Sequence, residues 1–192
     1  MQGTDEQLYS RFLAENDKEA FGELMERYGS GLTLFLRGYV DTMEDAEDLM
    51  MDSFVVIVTK RSWTARGSSF KTWLFAIGRK LALRHNKKKQ RTVRENRLEP
   101  GQPAGTPYKG SGTESLENEL LQEERNRQLY RAMSRLHDDY REVLYLLYFE
   151  QMTYEEIGEI MHKNKRQLYH LAERGRSALK SELERAGFEY GE

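Results

Sequence analysis

All three prolines of this 192-residue chain stand at Pro100, Pro103 and Pro107, and Gly101, Gly105, Gly110 and Gly112 fall among them. Proline removes a backbone donor and glycine multiplies the conformations open to the chain, so residues 98–113 read as a flexible linker without a core. The linker separates an N-terminal block, 1–97, from a C-terminal block, 114–192, both of small-domain size. Each block can bury only a modest core, so partners are expected to add stability.

Both blocks carry apolar residues at helical spacing. Leu8, Phe12 and Leu13 share one face of a first helix over 5–15. Asn16 or Asp17 can cap a second, with Phe21, Leu24, Met25 and Tyr28 facing inward. Gly29 and Gly31 weaken that helix near its middle, and a kink or break is expected there. Thr42 caps a third helix with acids in its first turn, where the helix dipole favours them. Its apolar positions are Ala46, Leu49, Met50, Phe54, Ile57 and Val58; residues 54–58 alone would suit a strand, but the flanking period is helical. Ser68 or Ser69 caps a long helix from Phe70 to about Arg91, with Trp73, Leu74, Ile77 and Leu81 inward. Beyond the linker, 114–135 is amphipathic, 136–138 breaks it, and 140–149 is a short, very apolar helix. Thr153-Tyr154-Glu155-Glu156 is a capping box that starts a helix ending near Met161. Residues 162–164 turn, and a last helix runs from Lys165 to about Glu184. The fold class is all-α: two small helical domains joined by a flexible linker.

Several chemistries are excluded by what the chain lacks. It has no cysteine, hence no disulfide scaffold, thiolate zinc site or thiol nucleophile. The polar, acidic residues 1–10 form no signal peptide, and the longest apolar run, 143–149, is far short of the roughly 20 residues that span a bilayer. The four histidines form no His-Glu-x-x-His pair, and neither a phosphate-binding glycine loop nor a nucleophile elbow is present. The chain is therefore expected to act without catalysis or cofactor.

Charge is polarised. Residues 79–97 hold nine Lys or Arg against Glu95 alone, a net +8 in a chain whose total is −2. Residues 41–52 hold six acids and no base. Such asymmetry signals partners. Three constellations follow. The last two helices form a helix-turn-helix candidate: Leu168, Leu171, Ala172, Gly175 and Leu179 line its buried stripe, and Lys165, Arg166, Gln167, Tyr169, His170, Arg174 and Arg176 the opposite face. Arg and Gln can each make two hydrogen bonds to a base edge. The second constellation joins Trp63, Arg66, Phe70, Trp73 and Phe75 to Arg79, Lys80 and the basic run from Arg84, where aromatic faces and a cationic track suit unpaired bases; Trp73 itself shares a stripe with Leu74 and Ile77 and reads as core. The third is the acidic helix of Glu44, Asp45, Glu47, Asp48 and Asp52, a solvated face or a dock for a basic protein rather than a metal cage.

These elements, in this order, resemble the extracytoplasmic-function (group IV) sigma factors of bacterial RNA polymerase. Asp45-Ala46-Glu47-Asp48-Leu49 to Phe54 is similar to the region-two helix of that family; 70–79, Phe-Lys-Thr-Trp-Leu-Phe-Ala-Ile-Gly-Arg, to its promoter-melting segment; and 136–157 to the start of its region four. Lys80, Arg84 and the turn His162-Lys163-Asn164-Lys165-Arg166-Gln167 depart from the commoner family pattern, which bears on promoter sequence rather than on class.

The resemblance implies a cytoplasmic subunit that docks on core RNA polymerase, at the β′ clamp helices and the β flap, and recognises promoter DNA, with an anti-sigma factor as regulator. It implies polymerase contacts at Asp45, Glu47, Asp48, Met51, Asp52 and Phe54. The melted minus-ten strand would be held by Trp63, Arg66, Ser68, Ser69, Phe70, Lys71, Arg79, Lys80, Arg84 and Lys87, with a base flipped into the 63–70 loop. The minus-thirty-five duplex would be read by Thr153, Tyr154, Lys163, Lys165, Arg166, Gln167, Tyr169, His170 and Arg174. The alternative reading is a stand-alone helix-turn-helix regulator with a helical effector domain.

Overall fold

The computed structural model describes residues 3–60, 67–96 and 124–187, with residues 90–96 and 124–127 described as backbone only. The linker at 98–113 and the loop residues Trp63 and Arg66 lie outside the described residues. Every element among the described residues is a helix.

Local chemistry sets the boundaries. Thr4 and Gln7 close a reciprocal capping box on α1 (Asp5–Glu15), and Asn16 ends it in the left-handed region, which Asn tolerates. The Asp17 carboxylate then accepts from the Glu19 and Ala20 amides and starts α2 (Lys18–Arg37). Thr42 accepts from the Asp45 amide at 3.0 Å at the start of α3 (Met43–Lys60), and Ser69 from the Thr72 amide at 3.1 Å at the start of α4 (Phe70–Asn96).

The expected kink in α2 does not occur: the helix runs unbroken through Gly29 and Gly31. Each glycine costs roughly 1 kcal/mol of propensity, but α2 is packed against α1, α3 and α4, and burial of Leu24, Leu32, Phe35 and Leu36 outweighs that cost. Residues 54–58 are helical as their flanks required, with Phe54 and Ile57 buried. The centre of the N-terminal domain is aromatic: Tyr9 meets Phe70 with ring centroids 5.5 Å apart, and Phe21 meets Phe54 edge-on at 5.7 Å. Gly78 lets α4 press on α2; a Cβ there would stand 2.9 Å from Leu32 Cδ1.

The C-terminal domain holds α5 (Glu124–Ser134), α6 (Asp138–Tyr148), α7 (Tyr154–Met161) and α8 (Lys165–Arg185). The α7–α8 pair is the anticipated helix-turn-helix. Thr153 and Glu156 cap α7 reciprocally, and Asn164 and Gln167 do the same for α8. His162 turns the chain at φ 55°, and the Lys163 amide donates back to the Gly158 carbonyl at 3.3 Å. The turn is tight enough that a Cβ on Gly158 would lie 2.8 Å from the Lys163 carbonyl oxygen. Leu168 and Ala172 are fully buried, and Gly175 brings α8 within van der Waals contact of Leu144 and Tyr140 on α6.

The two domains touch. α4 packs on α7, Phe35 on α2 meets Tyr145 on α6 at 5.8 Å, and buried residues of both domains form one continuous apolar cluster. Burial, with the Glu150 carboxylate close by, pushes the Tyr145 hydroxyl far above the ordinary tyrosine range, and the same two causes push Tyr130 up to about 12.

Two outcomes are expected from this packing. Gly158→Ala should destabilise the chain by about 1–3 kcal/mol because the methyl meets backbone, whereas Gly22→Ala, whose methyl meets nothing within 4 Å, should add up to about 1 kcal/mol; urea titration followed by circular dichroism measures both. Stability should also fall as pH rises above 10. An unfolded tyrosine loses its proton near 10, whereas folded Tyr130 keeps it to about 12. The folded chain binds more protons across that window, so raising pH favours unfolding. Absorbance titration at 295 nm alongside circular dichroism should show tyrosine ionisation and unfolding together.

Candidate nucleic-acid interface

Helix α4 supplies the basic track. Lys80, Arg84 and Lys87, spaced i, i+4 and i+7, are exposed along one face, with Leu83 exposed beside them. The other candidates on this helix are placed differently. Phe70 is fully buried, its ring packed on Tyr9, Tyr28 and Trp73, so it presents no face to a base. Ser68 is half-buried, and Ser69 is spent on capping α4.

Lys71 and Arg79 face the C-terminal domain. Lys71 Nζ lies 2.7 Å from a Glu150 carboxylate oxygen and donates to the Glu150 carbonyl at 2.6 Å. Arg79 Nε donates to Glu142 Oε1 at 2.5 Å, and only 4% of the Glu142 side chain is exposed. Burial pushes the Glu142 carboxyl above its ordinary value, and the Arg79 guanidinium opposes that rise. The half-buried Tyr39 ring adjoins the pair, and burial of its hydroxyl pushes it well above the ordinary tyrosine range. Around this pair the two backbones are stitched directly: the Tyr145 hydroxyl donates to the Gly31 carbonyl at 2.9 Å, and the Arg141 guanidinium donates to the Gly38 carbonyl. Glu156 bridges as well. One of its oxygens accepts from the Thr153 amide at 2.9 Å, the other from the hydroxyls of Ser69 and Thr72 at 3.3 Å. Burial alone would raise the Glu156 carboxyl; these donors together hold it below its ordinary value.

Glu142, Glu150 and Glu156 were not singled out as partners of the basic helix by the sequence. The available signal was Glu142 itself: an acid directly before the longest apolar run of the chain, 143–149, has to meet a cation when buried.

On α8, Arg166, Tyr169, His170 and Arg174 share one exposed face. Tyr169 stacks on Tyr154 at 4.3 Å, which fixes both rings at the mouth of the turn. Lys165 pairs with Glu155 at 2.7 Å and Lys163 with Asp139 at 3.2 Å, exposed or half-exposed contacts that water screens and that are easily exchanged. Thr153 is occupied as the α7 cap. Gln167 differs from expectation: its side-chain carbonyl accepts from the Asn164 amide at 2.9 Å, so it holds the helix start rather than projecting freely. The sequence reading missed Tyr148, which is exposed and receives a hydrogen bond from Arg176 at 3.3 Å.

On α3, Glu44, Asp48 and Asp52 fall in one exposed row with Met51, 48% exposed, and Val55, 54% exposed. Asp45 and Glu47 flank the row and are half-buried. Phe54 points the other way and is 2% exposed, a core residue rather than a docking one. Val55 was missed because it sat inside an apolar run read for its buried members. Among the described residues no group of His, Asp or Glu side chains converges as a metal cage, and no helix is long and apolar enough to cross a membrane.

Comparison with known proteins agrees with this layout. The family model described as Sigma-70 region 2 matches residues 24–92, and that described as Sigma-70 region 4 matches residues 126–179. The chain is 23% identical over 171 residues to the extracytoplasmic-function sigma factor SigW of Bacillus subtilis, covering 88% of this chain and 91% of that one. It is 29% identical over 168 residues to the sigma-E factor of Haemophilus influenzae, covering 82% and 84%. Its fold is similar to that of the sigma factor RpoE of Bartonella quintana in complex with the anti-sigma factor NepR (TM-score 0.64, 21% identity, 85% of this chain and 96% of that one). It is equally similar to CnrH in complex with the cytosolic domain of CnrY (TM-score 0.64, 20% identity, 94% and 97%). A stand-alone regulator would leave the region-two match over α2, α3 and α4 without a role. With both regions matched, in order, on two helical domains, the chain belongs to the extracytoplasmic-function sigma factors of RNA polymerase.

Proposed function

We propose that the two domains divide promoter recognition on behalf of core RNA polymerase, acting by binding and without turnover of their own. The exposed row on α3 docks on a basic surface of the polymerase: Asp45, Glu47, Asp48 and Asp52 steer the encounter, and Met51 and Val55 supply the apolar contact. The separated minus-ten strand follows Lys80, Arg84 and Lys87 on α4, reaches Lys71 and Arg79, and enters the loop that carries Trp63 and Arg66. Helix α8 enters the major groove of the minus-thirty-five duplex, with Arg166, His170 and Arg174 towards base edges and phosphates and the Tyr154–Tyr169 stack packed against the groove wall. An anti-sigma factor is the regulator that the solved neighbours suggest, since RpoE is bound to one. The site of action would be the cytoplasm.

The observation that carries this reading is the segregation of charge: an acidic, partly apolar row on α3 lies in the same domain as a cationic row on α4, and a helix-turn-helix occupies the other domain. One surface for a protein and two for DNA is what a recruiting subunit needs.

Co-purification with core RNA polymerase, followed by run-off transcription on genomic fragments, tests the whole. Asp48→Lys should impair capture of core polymerase in a pull-down while leaving circular dichroism unchanged; normal capture would remove the α3 row from the dock. Arg166→Ala should weaken discrimination among upstream sequences by about 1–3 kcal/mol if Arg166 reads a base. Equal loss on all sequences would make Arg166 a phosphate contact instead.

A further inference from the structure

Arg166, His170, Glu173 and Ser177 recur every three or four residues along α8, and all four are exposed. At about 100° per residue they form one ridge. The ridge lies opposite the buried stripe of Leu168, Ala172 and Gly175, which packs on α6 and α7. By the same spacing Arg174 stands on one flank of the ridge and Arg176 on the other, and both are exposed.

A helix seated in a major groove turns its ridge to the base edges and its flanks to the phosphates on either wall. Arginines on the flanks suit the walls. Glu173 is the exception to this chemistry: it is the one acid within residues 165–181, and it stands on the ridge between the two cationic flanks. Its side chain is 76% exposed, and its one ion-pair contact among the described residues is with His170 Nδ1 at 4.0 Å. Glu182, past the end of the ridge, lies 2.7 Å from Arg185. The Glu173 carboxylate thus keeps its acceptor oxygens for something outside the protein.

Bases differ in what they offer such a group. In the major groove cytosine presents the N4 amino group alone. Adenine sets its N6 amino group beside the acceptor N7, guanine shows the acceptors O6 and N7, and thymine the acceptor O4. A carboxylate is therefore satisfied by cytosine and repelled by guanine and thymine, and a repulsive element of that kind discriminates as strongly as an attractive one.

We propose that Glu173 is a specificity-determining residue of the duplex-reading helix, accepting a hydrogen bond from the N4 amino group of a cytosine in the upstream element and excluding guanine and thymine from that position. This rests on the proposed entry of α8 into the minus-thirty-five duplex. Arg166 lies seven residues earlier on the ridge, about 10 Å along the axis. That is roughly three base steps, so the two residues sample different base pairs and their preferences are set separately.

The test uses core RNA polymerase loaded with the full chain and a pool of promoters randomised across the upstream element. Bound complexes are recovered by gel shift and their DNA is sequenced. The unaltered chain should enrich cytosine over thymine about tenfold at one position. Glu173→Ala should flatten that position and leave the other positions as they were. Glu173→Gln should move the preference to adenine, whose N6 and N7 match a carboxamide. Replacing the selected cytosine with 2-pyrimidinone, which lacks the amino group, should weaken binding of the unaltered chain about tenfold and leave the alanine variant indifferent. Both substitutions fall on an exposed side chain facing away from α6 and α7, so the fold is retained. An alanine variant that keeps every base preference would overturn the assignment. So would one that binds all sequences more tightly by the same factor, because the carboxylate would then face phosphate. Loaded polymerase that selects no upstream sequence at all would instead sink the reading of α8 as the duplex reader, a result distinct from either of these.

Discussion

A carboxylate taken out of water must find a cation or lose its charge, and Glu142 is the place where that rule organises the molecule. It sits on the inner face of α6 with Arg79 as its partner across the domain boundary. Removing one member of such a nearly buried pair typically costs about 3–5 kcal/mol, because the other is left uncompensated. The register of α6 against α4 is thereby fixed. From that register follow the Tyr145 contact on Gly31, the Arg141 contact on Gly38 and the position of α7 over the start of α4.

Much of the fold was legible because each boundary is a local event. Thr4, Asp17, Thr42, Ser69, Thr153 and Asn164 each cap a helix with their own side chain, and such residues advertise themselves in a sequence. The helix-turn-helix was legible for the same reason, from its capping box, its short turn and its small residues. What stayed hidden was everything decided by a distant partner. The glycines of α2 look like breakers until Met50 and Glu150 are seen opposite them. Phe70 and Phe54 look like recognition aromatics until they are found in the core. Gln167 looks like a base reader because nothing in the chain order tells a capping glutamine from a free one, although its position three residues after Asn164 was the clue.

The charged faces of the candidate interface were legible in the sequence, and which of their residues stand exposed was not. Charge segregation along α3 and α4 follows from sequence spacing alone, since a helix exposes a fixed arc. Which lysine or arginine within that arc is available depends on what else packs there. Lys80, Arg84 and Lys87 face solvent, while Lys71 and Arg79, on a different arc of the same helix, face Glu150 and Glu142. A helix with two cationic arcs can thus hold one partner while remaining attractive to another, and competition between them is a matter of geometry and ionic strength.

Glu156 has a role that no single contact conveys. Its two oxygens serve different masters: one completes the cap of α7 and the other grips hydroxyls at the start of α4. The start of the helix-turn-helix and the attachment between the domains therefore draw on the same carboxylate. By thermodynamic reciprocity, whatever pulls that group wholly towards Thr153 loosens the hold on Ser69 and Thr72 by an equal free energy, and the converse holds with the same magnitude. A single side chain thus ties the cap of one helix to the seam between the two domains.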